Sequence, residues 1–262
     1  MSNIKNANSL KLQNMPQFQS DKSHSTMLNS QLKADAEPAA DDVILVDEEN
    51  KIIGRAPKLV AHMHGGLLHR AFSVVTVDSQ KRVLLQRRAS SKASFPNMLS
   101  NTCCSHPLAS VPGDAEGIAG AKRAACRRYQ FELRIPIERP EDTLSCVWIF
   151  KYKAVSPVAL SVQTPEGNKK LDLCEYEIDY TLLHMVDNAQ VALIDSVIDS
   201  AAYNSDEVSE LLWANVTDIR ARWEEMTPWF RILFRHVLEP WLLSPSACVT
   251  EVEDDSAIIN LV

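Results

Sequence analysis

The sequence predicts an α+β fold, on three observations. Short apolar runs bounded by Asp, Asn, Ser and Gly recur along the chain, as strands do. A few helical stretches fall among them. The two kinds do not alternate regularly, which argues against a doubly wound parallel sheet. The first run is Val43-Ile44-Leu45-Val46, entered from Asp41-Asp42 and closed by the acidic turn Asp47-Glu48-Glu49-Asn50. Residues 71–77 and 83–86 flank Asp78-Ser79-Gln80-Lys81 and read as a hairpin. Residues 117–133 read as a helix, because Ala119, Ala121, Ala124 and Ala125 favour it and Lys122, Arg123, Arg127 and Arg128 supply a polar face. Pro136 follows its end. Residues 145–152 and 176–185 read as strands, and 207–212 and 228–238 as helices. Residues 156–174 carry Pro157, Pro165, Gly167 and Lys169-Lys170 and read as a loop between two strands.

One folded domain is expected over residues 41–245. The 262 residues are 45% hydrophobic and 23% charged, enough to form a packed core. Residues 1–40 hold six Ser, five Asn and four Gln, with Phe18 as their one aromatic, and read as a disordered leader. Residues 246–262 include the acidic stretch 251–255 and read as a solvated tail.

A net charge of −7 argues against a general nucleic-acid binder. No apolar run approaches the roughly 18 residues of a membrane span. The six cysteines form no Cys-x-x-Cys pair, and Met1 is followed by a polar stretch, so reduced thiols in the cytoplasm are expected.

Four groups of residues can carry chemistry. His62, His64, His69 and His106 are dense enough to bind a metal, although such spacing more often reports surface or core histidines. In Asn101-Thr102-Cys103-Cys104-Ser105-His106-Pro107 a thiol stands two residues before an imidazole; it is a ligand, a nucleophile, an acid/base group or a buried structural thiol. In Glu175-Tyr176-Glu177 strand alternation places both carboxylates on one face, where they repel unless a cation lies between them; a solvated edge face is the bland alternative. Arg128 and Glu132 share a helical face at i, i+4, a spacing that more often gives a surface ion pair.

Taken in order, these motifs resemble a known family. Leu67-Leu68-His69-Arg70-Ala71-Phe72-Ser73, Leu84-Leu85-Gln86-Arg87-Arg88-Ala89, Phe95-Pro96, the Cys-Ser-His-Pro segment, Glu175-Tyr176-Glu177-Ile178-Asp179-Tyr180 and Thr227-Pro228-Trp229-Phe230 are similar to those of type I isopentenyl-diphosphate isomerases. The resemblance runs from about residue 42 to residue 241. It implies a Nudix-like α/β/α sandwich with a mixed sheet, and the interconversion of isopentenyl and dimethylallyl diphosphate.

By the same resemblance, His62, His69, His106, Glu175 and Glu177 would hold a divalent metal (Zn²⁺, Mn²⁺ or Mg²⁺). Glu132 would hold a Mg²⁺ that travels with the diphosphate. Cys104 and Glu177 would be the acid/base pair, assisted by Tyr152, with Glu177 delivering a proton and Cys104 taking one from the other face. Lys58, Arg88, Lys92, Ser105 and Arg128 would contact the diphosphate, and Trp229 would face the carbocation. The partner is thus a small diphosphate, with neither nucleic acid nor membrane. Arg134 and Asn97 stand where the family commonly has Gly. Two alternatives are a Nudix hydrolase of nucleoside diphosphate derivatives, disfavoured because Phe131 replaces one of the paired helix glutamates, and a non-catalytic metal-binding scaffold.

Overall fold

The computed structural model describes residues 40–164, 167–244 and 250–261, so the leader expected over 1–40 lies outside the described residues except for Ala40. The centre is a mixed sheet. Its strands include β1 (Asp42–Val46), β2 (Ile52–Pro57), β3 (His69–Val77), β4 (Val83–Arg88), β5 (Leu99–Ser100), β6 (Cys103–Ser105), β7 (Leu144–Val155), β10 (Cys174–Met185), β11 (Val208–Ala214) and β12 (Ile258–Asn260). β10 lies between β3, which runs parallel to it, and β7, which runs antiparallel. All nine residues of β3 are buried, as expected of a β-branched run covered on both faces.

Alternation along these strands feeds two cores. Phe72, Val74, Leu84, Ile178 and Tyr180 pack against Ala121, Ala125, Tyr129 and Leu133 of one long helix and Ile194 and Val197 of another. Val75, Val77, Leu85, Phe150 and Tyr152 pack against Trp229, Phe230, Leu233 and Phe234 on the opposite face. Helices therefore cover both sides of the sheet, the layering the resemblance implies.

The helices include α1 (Lys58–His62), α2 (Gly117–Leu133), α3 (Pro140–Thr143), α4 (Asn188–Ser200), α5 (Val216–Ala221), α6 (Pro228–Leu233) and α7 (Glu239–Leu243). α2 keeps the bounds expected from sequence and ends on Arg134 at φ +61°, the left-handed position that glycine commonly fills. Asn97 likewise sits at φ +63°, a conformation Asn tolerates. Gly120 lets the start of α2 lie against the preceding loop, since a Cβ there would stand 2.2 Å from the Asp114 carbonyl oxygen. α6 continues through a π-helical turn, Phe234–Leu238, into α7. Pro240 lies in that region and offers no N–H to the helix ladder.

Three expectations are corrected. Residues 207–212 are not helical: β11 pairs antiparallel with β4. A bulge between Val208 and Glu210 turns Val208 and Leu211 toward the same core, while Ala214 faces the opposite one, so buried residues recur every three as on a helix. The expected loop 156–174 contains a hairpin of β8 (Leu160–Thr164) and β9 (Gly167–Leu171), whose strands bury too few side chains to show a pattern. The expected tail keeps Glu251, Glu253 and Asp254 exposed, but over residues 250–261 it is docked on the fold rather than free of it. Glu251 pairs with Lys122, Asp255 Oδ1 accepts the Ile118 N–H at the start of α2, and β12 extends the sheet parallel to β7.

Candidate active site

Sheet register assembles the site. In the β3–β10 ladder His69 pairs with Glu177, and in the β7–β10 ladder Glu177 pairs with Tyr152. β6 pairs with β3 so that Cys104 stands opposite Ser73, with His106 just beyond the strand end. α1 brings His62 to Glu175, at 2.7 Å between Nε2 and Oε2. His106 Nε2 lies 2.9 Å from Glu177 Oε1, and His69 Nε2 lies 3.4 Å from the same oxygen.

The five residues expected to hold a metal are all buried, and each offers one ligand atom within 4.8 Å of the others. The remaining ring atoms support that role. Nδ1–H of His62 donates to the Lys58 carbonyl at 2.6 Å, and Nδ1–H of His69 to the Leu67 carbonyl at 2.7 Å, which turns both Nε2 lone pairs inward. His69 Nε2 makes no hydrogen bond among the described residues. Burial, with Lys58 and the other two histidines nearby, pushes His106 well below the usual imidazole range and keeps it neutral, as a ligand must be. Burial alone would lower His62 too, but the Glu175 charge and hydrogen bond raise it. A buried set of three imidazoles and two carboxylates can thus hold a divalent cation.

A cavity of about 670 Å³ opens beside this cluster, lined by Lys58, Arg88, Lys92, Cys104, Ser105, His106, Arg128, Tyr152, Glu175, Glu177 and Trp229. Every expected catalytic and substrate-contacting residue is among them. Arg88 donates to the carbonyls of Phe95 and Ser94 at 3.0 and 2.8 Å, and its Nη1 lies 3.8 Å from Cys104 Sγ. Trp229 is fixed by Nε1–H to Asn101 Oδ1 at 3.0 Å, and the Arg88 guanidinium lies 5.4 Å from its ring centroid. Glu132 is apart from the five-residue cluster: it is buried, Oε1 accepts from Arg128 at 2.7 Å and Oε2 from Gln86 at 3.2 Å. His64 has no place in the cluster.

The protonation states are well separated. Burial pushes the Cys104 thiol up to about 11 against the nearby Arg88 charge. Burial, with Glu177 and Glu175 alongside, holds the Tyr152 phenol well above its ordinary range. Burial would also raise Glu177, but the neighbouring histidines and the Tyr152 hydrogen bond hold it down to about 2. The cavity therefore contains a thiol, a phenol and a carboxylate.

Among the lining residues that sequence reasoning missed, three carry polar side chains that shape the site. Ser94 donates to Glu175 Oε1 at 2.7 Å, orienting that carboxylate. Asp179 follows Glu177 by two and faces the same way, so alternation alone could have found it; Ser73 donates to its Oδ2 at 2.8 Å. Glu207 lies at the edge of β11, in the segment misread as a helix.

No protein-family model matches the chain. Curated relatives do. The chain is 32% identical over 222 residues to the Candida albicans isopentenyl-diphosphate delta-isomerase, covering 76% of this chain and 72% of that one. It is 36% identical over 209 residues to the Cannabis sativa chloroplastic isopentenyl-diphosphate Delta-isomerase 1, covering 77% and 67%. It is 35% identical over 209 residues to the Bos taurus isopentenyl-diphosphate Delta-isomerase 1, covering 77% and 84%. Among the described residues no helix is long and apolar enough to cross a membrane.

Proposed function

The chain belongs to the isopentenyl-diphosphate delta-isomerase family, and from that premise we propose that its cavity interconverts isopentenyl and dimethylallyl diphosphate through Cys104, Glu177 and Tyr152. One observation carries the reading: Cys104 and Glu177 line a single cavity together with the basic side chains Lys58, Arg88, Lys92 and Arg128. Moving the double bond by one carbon requires adding a proton to one carbon and removing one from another. A tertiary carbocation lies between the two steps, so two acid/base groups and a dry cavity are the minimum equipment.

The four basic side chains and the Ser105 hydroxyl hold the diphosphate, which carries roughly two to three negative charges. The five-carbon tail then lies among Cys104, Tyr152 and Trp229. The indole face of Trp229 favours the cation, and its neighbours exclude the water that would trap it.

Within this proposal we assign the proton roles in the opposite sense to that implied by the resemblance. Burial favours the protonated forms of Cys104 and Tyr152, and the neighbouring histidines and the Tyr152 hydrogen bond favour the ionised form of Glu177. Cys104 is then the donor and Glu177 the acceptor, with Tyr152 holding Glu177 in place. One turnover leaves a thiolate and a carboxylic acid, the pair from which the reverse reaction starts. His62, His69, His106, Glu175 and Glu177 would hold a divalent cation, Zn²⁺, Mn²⁺ or Mg²⁺, whose positive charge would fix the Glu177 carboxylate. Glu132 is the expected contact for Mg²⁺ carried by the diphosphate. Its oxygens are now held by Arg128 and Gln86, so that role needs one of these bonds to open. The cytoplasm remains the proposed location.

The test is direct. Incubated with isopentenyl diphosphate and Mg²⁺, the protein should yield dimethylallyl diphosphate, and Cys104→Ala and Glu177→Gln should abolish turnover while leaving the fold intact. Release of free phosphate instead would identify a hydrolase, and no product a non-catalytic fold.

A further inference from the structure

Besides Glu132, which is buried behind Arg128, a second carboxylate stands on the basic side of the cavity and lines it, where an anion-binding wall has no obvious use for it. Glu207 Oε2 accepts from Lys92 Nζ at 2.5 Å and from Arg128 Nη2 at 2.6 Å. A single oxygen is thus held in the fork of an ammonium and a guanidinium, the arrangement these two groups would offer a phosphate oxygen. Glu207 is ionised: burial would raise it, but the charges of Lys92 and Arg128 prevail and lower it.

Its position is imposed by the backbone. The Glu207 N–H donates to the Asn204 carbonyl at 3.0 Å, and its own carbonyl accepts from Ala89 at 3.0 Å. Asn204 N–H in turn donates to the Glu132 carbonyl near the end of α2, at 2.8 Å, and Ser91 Oγ donates to the Asp206 carbonyl at 2.8 Å. The turn before β11 is therefore docked on the two segments that carry Arg128 and Lys92.

We propose that Glu207 is a resident anion of the phosphate seat, a specificity-determining residue that an incoming ligand must displace from Lys92 and Arg128. The inference rests on the reading of this wall as a diphosphate site. A lone phosphate would gain little beyond the fork that Glu207 already fills. A diphosphate spans further, reaching Lys58 and Arg88, and so offsets the loss of the internal pair. Glu207 thereby sets a threshold that favours diphosphates over monophosphates.

The experiment is calorimetric titration of the metal-loaded full chain, without added Mg²⁺, with inorganic pyrophosphate and with inorganic phosphate. Wild type should bind pyrophosphate and discriminate against phosphate. Glu207→Gln, which keeps the shape and removes the charge, should bind phosphate roughly tenfold more tightly, with a smaller gain for pyrophosphate, so the discrimination narrows. Glu207→Ala should shift the ratio in the same direction and serves if the Gln variant is unstable. An unchanged ratio, or weaker binding of both anions, overturns the proposal, because the carboxylate would then be neutral or helpful to the ligand. If wild type binds no pyrophosphate, the diphosphate reading itself fails and the proposal with it.

Discussion

Tyr152 Oη donates a 2.5 Å hydrogen bond to Glu177 Oε2, and the two residues stand directly opposite each other on β7 and β10. Cross-strand pairing at one register position thus holds the carboxylate. Its other oxygen faces His106 and His69. Tyr152→Phe removes one hydroxyl from a wall the ring still fills. The expected result is a fall in kcat of about 100-fold, within the range for a group that assists proton transfer. Steady-state kinetics at saturating isopentenyl diphosphate check it, and an unchanged KM would place the loss in the chemical step.

Cys104→Ser tests the assignment of the first proton. A serine hydroxyl is a far weaker acid than the buried thiol, even one raised to about 11. A fall in kcat of about 10³-fold is expected. Full activity in the serine variant would remove Cys104 from the proton path. Thermal unfolding should differ little from wild type, since the substitution keeps nearly the same shape.

Much of this site is legible in the sequence because strands impose a period of two. Glu175 and Glu177 share a face, Asp179 continues the row, and Cys104 and His106 are two apart at the end of β6. What joins these pieces is register: nothing local says that His69 and Tyr152 flank Glu177 on opposite sides. Glu207 was hidden because its neighbours Val208, Leu211 and Ala214 are spaced as on a helix: a bulge turns the first two to one core, and Ala214 faces the other. Asp255 was hidden by composition. Its immediate neighbours Asp254 and Ser256 are polar, the apolar run Ala257-Ile258-Ile259 beyond them is short, and its contact with the start of α2 is long-range.

Lys58 sets a basic limb to the pH profile. Burial, with Lys92, Arg128 and Arg88 nearby, lowers its ammonium from 10.5 to about 8. The group is charged below that value and neutral above it, so diphosphate attraction weakens as pH rises through about 8. The quantity kcat/KM, which reports ionisations of the free enzyme, should fall along that limb. Lys58→Arg keeps the charge at every pH tested and should move the limb upward. A limb that stays near the same pH in this variant would belong to another group.

Metal removal should cost both activity and stability. The cluster of His62, His69, His106, Glu175 and Glu177 is assembled only in the folded chain, so a cation held there would bind the native state alone. Ligation therefore stabilises the native state by mass action, by about 2.7 kcal/mol at a free-ion concentration 100 times Kd. Dialysis against a chelator should lower Tm and abolish isomerisation, and restoring a divalent ion should recover both. His62→Ala should show the lower Tm and a weaker response to added metal.

The last prediction concerns the end of α2, away from the chemistry. Arg134 holds φ +61° and caps the helix with its N–H on the Gln130 carbonyl. The left-handed conformation costs a residue with a Cβ about 1–2 kcal/mol, and glycine carries almost none of that cost. Against this, Arg134→Gly frees the unfolded chain and loses the guanidinium held 5.8 Å from the Phe131 ring. The side-chain contact involves an exposed ring, so about 0.5 kcal/mol is a fair value for it. With about 0.7 kcal/mol for the added freedom of the unfolded chain, the balance favours the variant by roughly 0.3 kcal/mol. Urea unfolding should show a higher midpoint with an unchanged slope, while kcat and KM stay as in wild type. A lower midpoint would mean that the arginine contributes a stabilising contact larger than the backbone strain it imposes.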